Sequence, residues 1–262
     1  MQAFQDLFSP NKSLRGKSLL LLCLAQGALV FLLWGLSGSP VFPSPAAIGR
    51  AWISLFQEGG FVTEALTSTI LAFQSVALTF ILSLAFSYAS VLPFFRPLVQ
   101  AVSKLRFLSL VGLSFLFTMV FSGGHQLKVS LLVFGMSVFF ITSMVEVIQS
   151  VPRSDLNHAR TMGMNEWQVV WEVIVLGKMD QAFEILRQNF AIAWMMLTMV
   201  EGISRAEGGI GTMLLNQNKH FHLDAVFAIQ FTVIAIGILM DYGFGVLRRF
   251  LFPFAALGKE VR

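Results

Sequence analysis

The feature that most constrains this chain is a series of apolar stretches that are too long and too poor in charge for a soluble core. Residues 18–36 carry no charged side chain, and comparable stretches cover residues 64–92, 107–121, 127–147, 189–200 and 223–247. Lipid offers no hydrogen-bond partner to a bare backbone, so such stretches cross as helices, each needing ~20 mostly apolar residues. Hydrophobic residues make up 56% of the chain and charged residues 12%, against roughly 25% charged in ordinary soluble domains. Too few charges remain to cover a soluble surface. The expected fold is an all-α integral membrane protein with six transmembrane helices.

The connections support this reading. Residues 1–17 form a polar lead ending in Lys12, Arg15 and Lys17. A charged lead before an apolar core also fits a cleaved signal peptide, with Ser37-Gly38-Ser39 as a cleavage context. A retained first span is preferred because it is long enough to cross and everything downstream is membranous. Pro40, Pro43 and Pro45 interrupt the helix after it. Ala46, Ile48, Trp52, Ile53 and Phe56 then suit a short helix on the membrane surface. In the second span Thr67, Ser68, Thr69, Gln74, Ser75 and Thr79 are expected to face the bundle interior, and Pro93 and Pro97 end it.

Charge asymmetry orients the bundle. Six spans put both termini on one side. With that side cytoplasmic, the outer loops hold only Arg50, Lys128, Arg205 and Lys219, and the remaining fourteen of the eighteen basic residues lie inside. The expected location is the inner membrane of a bacterium, in contact with the lipid bilayer. Residues 1–17 form a cytoplasmic lead and residues 18–262 a single membrane domain.

The longest polar interval, residues 151–187, falls on the cytoplasmic side. Ser154 or Asp155 is placed to cap a short helix through Ala159 and Arg160. Gly163 stands where a C-cap tolerates positive φ, and Asn165 and Gln168 have the spacing of a capping box for a second helix. Trp167, Val170, Trp171 and Ile174 recur at helical spacing, which a surface helix resting at the lipid interface would also show.

This pattern resembles the "EAA" loop of ABC importer permease subunits, nearest to the nitrate/sulfonate/taurine type. The Glu-Ala-Ala-x-x-x-Gly core falls on Asn157-His158-Ala159 and Gly163, with Asn and His in place of Glu and the first Ala. The segment 167–173 follows at the family's spacing, and the two exit prolines are Gly177 and Gln181 here. Phe42-Pro43-Ser44-Pro45 resembles the family's Leu-Pro-Ser-Pro after the first span, and Gly208-Gly209-Ile210-Gly211 resembles its Gly-Leu-Gly after the fifth. The resemblance covers roughly residues 40–253. It implies a type I importer permease fold in which Asn157, His158, Ala159, Arg160, Met162, Gly163 and Trp167 couple to separate ATP-binding cassette ATPase subunits. ATP and Mg are bound on those ATPases, with no cofactor on this chain. A second permease copy completes the pathway, and an extracytoplasmic binding protein delivers a small anion, sulfonate or similar solute.

Glu146, Glu201, Gly209, Gly211 and Asp241 are the candidates for pathway or gate. Ionisable groups within spans are costly and tend to face the bundle interior. Glu146 equally suits the interface, since Gln149 and Ser150 follow, and Asp241 has Arg248 and Arg249 one to two turns on. Glu201 and Glu207 flank an external loop, and no basic residue buried in a span is expected.

Other chemistries find no support. His220 and His222 lack further ligands at metal spacing, apart from Asp224. No Walker motif, Ser-His-Asp or Cys-His arrangement is present, so the chain is not expected to be an enzyme. Cys23 has no second cysteine to pair with. Nucleic acid is not an expected partner. A secondary transporter or channel not driven by ATP is the alternative reading, and the absence of a detectable inverted repeat speaks against the transporter form.

Overall fold

A computed structural model describes residues 16–36, 42–57, 60–204 and 207–253, and among them every regular element is helical. The apolar helix α1 (Lys17–Leu36) comes first, then α2 (Pro45–Gln57) and α3 (Phe61–Ala89). Next are α4 (Arg96–Lys104) with a 3₁₀ turn (Leu105–Phe107), α5 (Leu110–Val120) and α6 (Gly124–Gln149). The polar interval holds α7 (Arg153–Thr161) and α8 (Glu166–Val169), which runs on as a π-helix (Val170–Leu176). Last come α9 (Met179–Ile203), α10 (Ile210–Lys219) and α11 (Leu223–Leu251). The lead through residue 15, Ser37-Gly38-Ser39, Pro40, Arg205, Lys259 and Arg262 lie outside the described residues.

Among the described residues three helices, α3, α6 and α11, are long and apolar enough to cross a membrane by themselves. The expected third span, residues 107–121, is the short helix Leu110–Val120; the helix Arg96–Phe107 precedes it at an angle of 112°, and the two together make at most a fourth crossing among the described residues. Leu108 and Ser109 are both extended, so the helix breaks there, while Pro97 sits in the first turn of α4. The expected fifth span is the outer half of the 25-residue α9, whose first turns carry Asp180, Glu184 and Arg187. Propagation through a polar start is supported by packing, because Ala182, Phe183 and Leu186 are buried.

The core is the packing of α3, α6 and α9. Ser68, Ala72, Ser75, Thr79, Ser83 and Ser87 form one buried stripe along α3, recurring every three or four residues. Small side chains let helix backbones approach closely in a membrane bundle. Leu131, Leu132, Met136, Phe140 and Met144 of α6, with Phe190, Ala193 and Leu197 of α9, fill the apolar interior. The inward polar face expected of the second span is therefore Ser68, Ser75 and Thr79. Thr67 and Gln74 point outward instead, a quarter-turn off that stripe. The α2 helix does pack as an amphipathic element, with Ile48, Ala51 and Leu55 buried and the Trp52 indole N–H donating to Thr232 of α11 at 2.9 Å.

Candidate functional site

The polar interval between α6 and α9 folds as two short helices joined by a bonded turn. Helix α7 starts after Pro152, whose φ of −62° suits a helix entrance, and no side chain caps it. Ser154, expected as a cap, donates instead to Asp155 at 3.2 Å, and Asp155 lies in the first turn where a negative charge is favoured. Gly163, at φ +85°, ends the helix. The Met164 N–H reaches the Ala159 carbonyl at 3.3 Å and the Gly163 N–H reaches that of Arg160 at 3.0 Å, a complete Schellman pair. Asn165 and Gln168 then close a reciprocal capping box, with both bonds at 2.9 Å. Arg160 crosses the turn, donating from Nε and Nη2 to Glu166 at 2.8 and 3.0 Å and from Nη1 to Asn157 at 2.9 Å. Its guanidinium holds the Glu166 carboxyl below the usual carboxylate range.

This construction divides the sequence candidates. Ala159 is buried beneath the turn and serves the loop's own packing. Asn157, His158, Arg160, Met162, Gly163 and Trp167 are exposed, with Met162 62% and Trp167 70% accessible. Beside them a cleft of about 600 Å³ is lined by Ser154, Asp155, His158, Met162, Met164 and Glu172. The expected aromatic helix of 167–173 becomes a π-helix after its first turn, a wide geometry that recurs at functional sites. Val169, Ile174 and Val175 face inward, leaving Trp167 and Trp171 outside. The loop continues almost directly into α9, at whose start α9 is fastened to α11. Arg187 grips Asp241 through two bonds of 2.7 and 2.8 Å, and Arg248 reaches Glu184 at 2.7 Å. Asp241 is thus a helix–helix contact, and its partner is Arg187 rather than Arg248 or Arg249. Glu146 is exposed on α6 and joins neither cluster.

At the other end of α9 lies a buried polar cluster that brings together three of the pathway candidates, Glu201, Gly209 and Gly211, with Ser68 and with Glu64 and Lys128, which were not among them. Glu201, expected at the edge of an external loop, is wholly buried in the last turns of α9. Its carboxylate accepts from Ser68 Oγ at 2.6 Å and from the Gly211 N–H at 2.7 Å. The Ile210 N–H donates to Ser68 Oγ at 2.9 Å, and the Gly209 N–H donates to Glu64. Lys128, assigned above to an outer loop, is 2% exposed inside α6 and donates to the Gly208 carbonyl at 2.8 Å. That overturns the expectation of no buried basic residue in a span. Gly208 and Gly209 have φ of +70° and +107°. A Cβ at Gly208 would stand 2.6 Å from a Glu64 oxygen, and one at Gly209 would overlap the Glu201 carboxylate. Only glycine lets this segment lie so close to both acids. At the rim, His125 stands 3.0 Å from Gln74 and 3.6 Å from Glu207. A lysine four residues into an apolar helix was the available sequence signal for this cluster. Its partner carbonyl, eighty residues away, was not readable. Among the described residues no group of acidic, histidine and cysteine side chains is arranged to hold a metal ion.

Comparison with known proteins gives the following. Residues 45–252 match the family described as binding-protein-dependent transport system inner membrane component. The taurine transport system permease protein TauC of Escherichia coli (strain K12) is 26% identical over 133 residues, covering 51% of this chain and 48% of that protein. The bicarbonate transport system permease protein CmpB of Synechocystis sp. (strain ATCC 27184 / PCC 6803 / Kazusa) is 20% identical over 123 residues, 44% of each. The matches thus span about half the length of these curated relatives. Among solved structures, a chain of an amino acid ABC transporter crystallised with histidines superposes with a TM-score of 0.59 at 17% identity, covering 73% of this chain and 92% of that one. A chain of a bacterial ABC transporter involved in import of the acidic polysaccharide alginate superposes with 0.60 at 12% identity, covering 89% and 96%. These two likenesses bear on the fold.

Proposed function

This chain belongs to the family of binding-protein-dependent transport system inner membrane components, and on that premise we propose that it moves a small solute by alternating access, as the permease subunit of an ATP-driven ABC importer. Its all-α architecture is the type I importer permease fold. Six crossings with both termini in the cytoplasm are the topology we adopt, because the basic residues then gather inside. Two copies of the chain form the pathway. Separate ATPase subunits dock on residues 153–176 and carry out ATP hydrolysis with Mg. An extracytoplasmic binding protein delivers the solute. Relatives named for taurine and bicarbonate favour a small anion, sulfonate or zwitterion as cargo.

One observation carries the mechanism: the cytoplasmic loop is a tightly bonded, exposed knuckle joined to a core helix through the two-residue turn Gly177-Lys178. The Schellman turn, the capping box and the Arg160–Glu166 clamp fix α7 against α8, so a push on Met162 or Trp167 is transmitted rather than absorbed. The push passes into α9 and, through Arg187–Asp241 and Arg248–Glu184, into α11. ATP-driven closure of the ATPase pair tilts these helices and opens the pathway outward, and hydrolysis returns it.

The test is co-purification of the tagged chain from its native membrane, with Gly163→Trp as the probe. Nothing in this chain lies within 4 Å of a Cβ at Gly163, and Gly163→Ala, which carries the same positive-φ strain without the bulk, is the control that isolates the effect of the added ring on a partner. We expect an ATPase to co-purify with the native chain, and the Gly163→Trp protein to fold but lose ATPase binding or uncouple hydrolysis from transport. A chain that purifies alone and moves solute without ATP, or a Gly163→Trp protein that transports normally, refutes the reading.

A further inference from the structure

We propose that Glu201 is a positioning residue that latches the outer mouth shut, and that α9 links this latch to the cytoplasmic loop. The role in transport rests on the importer reading above; the latch itself rests on geometry alone. The segment 208–211 is held to the bundle almost wholly by side chains of other elements. Three successive backbone N–H groups at the start of α10 would be unpaired by their own helix. They are taken up by Glu64 and Ser68 of α3 and by Glu201 of α9. From the opposite side Lys128 of α6 holds the Gly208 carbonyl. Thr212 completes the clasp, its hydroxyl shared between the carbonyls of Glu201 at 2.9 Å and Gly208 at 3.0 Å. One short strap therefore ties α3, α6 and α9 together, and Glu201, wholly buried, stands between α3 and the strap.

Two properties make this a latch rather than a fixed joint. The first is charge. Two carboxylates, Glu64 and Glu201, and one ammonium, Lys128, converge on the backbone of residues 208–211, each bonding a different peptide group. Excess buried charge is poorly repaid by pairing and favours any arrangement that readmits water. The second is leverage. Helix α9 runs unbroken for 25 residues, about 37 Å, from just after the π-turn of the cytoplasmic loop to the turn beyond Glu201. A tilt imposed at its cytoplasmic end displaces Glu201 relative to Ser68 and the strap. Breaking the two bonds to the Glu201 carboxylate frees Gly211 and loosens the whole clasp. Lifting the strap then hydrates the acids and opens the mouth. The latch needs glycine at 209, since a Cβ there would occupy the space of the Glu201 carboxylate.

The experiment compares the native full-length chain with Glu201→Gln, Glu201→Asp and Ser68→Ala in lipid nanodiscs, following amide hydrogen exchange across residues 207–212. An amide side chain is uncharged and offers a single acceptor oxygen to the Ser68 hydroxyl and the Gly211 N–H, so losing one charge-assisted bond should speed exchange there about tenfold. Exchange across residues 223–233 should not change, and Glu201→Asp should recover part of the protection. In the assembled importer, Glu201→Gln should hydrolyse ATP without binding protein about tenfold faster than native, an effect that a merely damaged subunit would not produce. Ser68→Ala, which removes one hydroxyl, gives the same readouts if Glu201→Gln does not fold. Unchanged exchange at 207–212, equal loosening of both segments, or faster exchange with unaltered basal hydrolysis overturns the latch. The exchange measurement uses no ATPase, so its failure is distinguishable from failure of the importer reading.

Discussion

Two glycines with positive φ stand at the two ends of the machinery, and alanine at each should have very different consequences. Gly163 lies at φ +85° with nothing within 4 Å of an added Cβ, so Gly163→Ala meets backbone strain only, about 1–2 kcal/mol. Gly209 lies at φ +107° and ψ 161°, a region reserved almost entirely for glycine, which costs an alanine about 1–3 kcal/mol. There the new methyl also overlaps the Glu201 carboxylate. Moving that carboxylate away breaks its bonds to Ser68 and Gly211, at about 1.5–3 kcal/mol for hydrogen bonds to a charged group. The sum for Gly209→Ala is about 2.5–6 kcal/mol, roughly three times the Gly163 effect. Reversible denaturation in mixed micelles, read by tryptophan fluorescence, measures both. A Gly209→Ala cost within about 1 kcal/mol of the Gly163→Ala cost would refute the claim that the strap lies against Glu201.

Two further outcomes test the end of the bundle that carries α7 and α8. The Arg187–Asp241 pair is bidentate but a third to a half exposed, so a double-mutant cycle of Arg187→Gln and Asp241→Asn should return a coupling of about 0.5–1 kcal/mol. Zero coupling at low salt would mean that α9 and α11 are not fastened there. The Glu166 carboxyl is held by Arg160 below its ordinary value of 4.5, so the ion pair supports the folded loop above that pH and is lost as pH falls through the folded-state value. Intrinsic-corrected amide protection of residues 160–168 should therefore stay flat from about pH 8 to about pH 5 and drop below about pH 4. A Glu166→Gln protein with the same acid drop would assign it to another group.

Local physics was legible in the sequence wherever the information is local. The apolar runs needed lipid, and Gly163, Asn165 and Gln168 determined the turn between α7 and α8 through contacts no more than a few residues apart. The resemblance around Asn157–Gly163 pointed to the family, and the match over residues 45–252 bears it out. Helix interruptions were less legible. Pro93 and Pro97 announced the end of α3, but the 112° bend between α4 and α5 falls at Leu108 and Ser109, where no proline marks it, and depends on how each helix packs against α6.

What only the tertiary structure decided is which polar residues are inside and what each one meets. By sequence Lys128 counted as a loop cation and Glu201 as a loop acid, because hydropathy assigns charge to the water side. The fold instead brings Lys128 to the Gly208 carbonyl, and Glu201 to Ser68 and to Gly211 across the strap. Asp241 likewise had two arginines close by in sequence and chose a third, Arg187, on another helix. A charge in a span is tolerated only where donors or acceptors meet it. Those partners come from helices far apart in the chain, so their positions follow from helix packing and not from any pattern along the sequence.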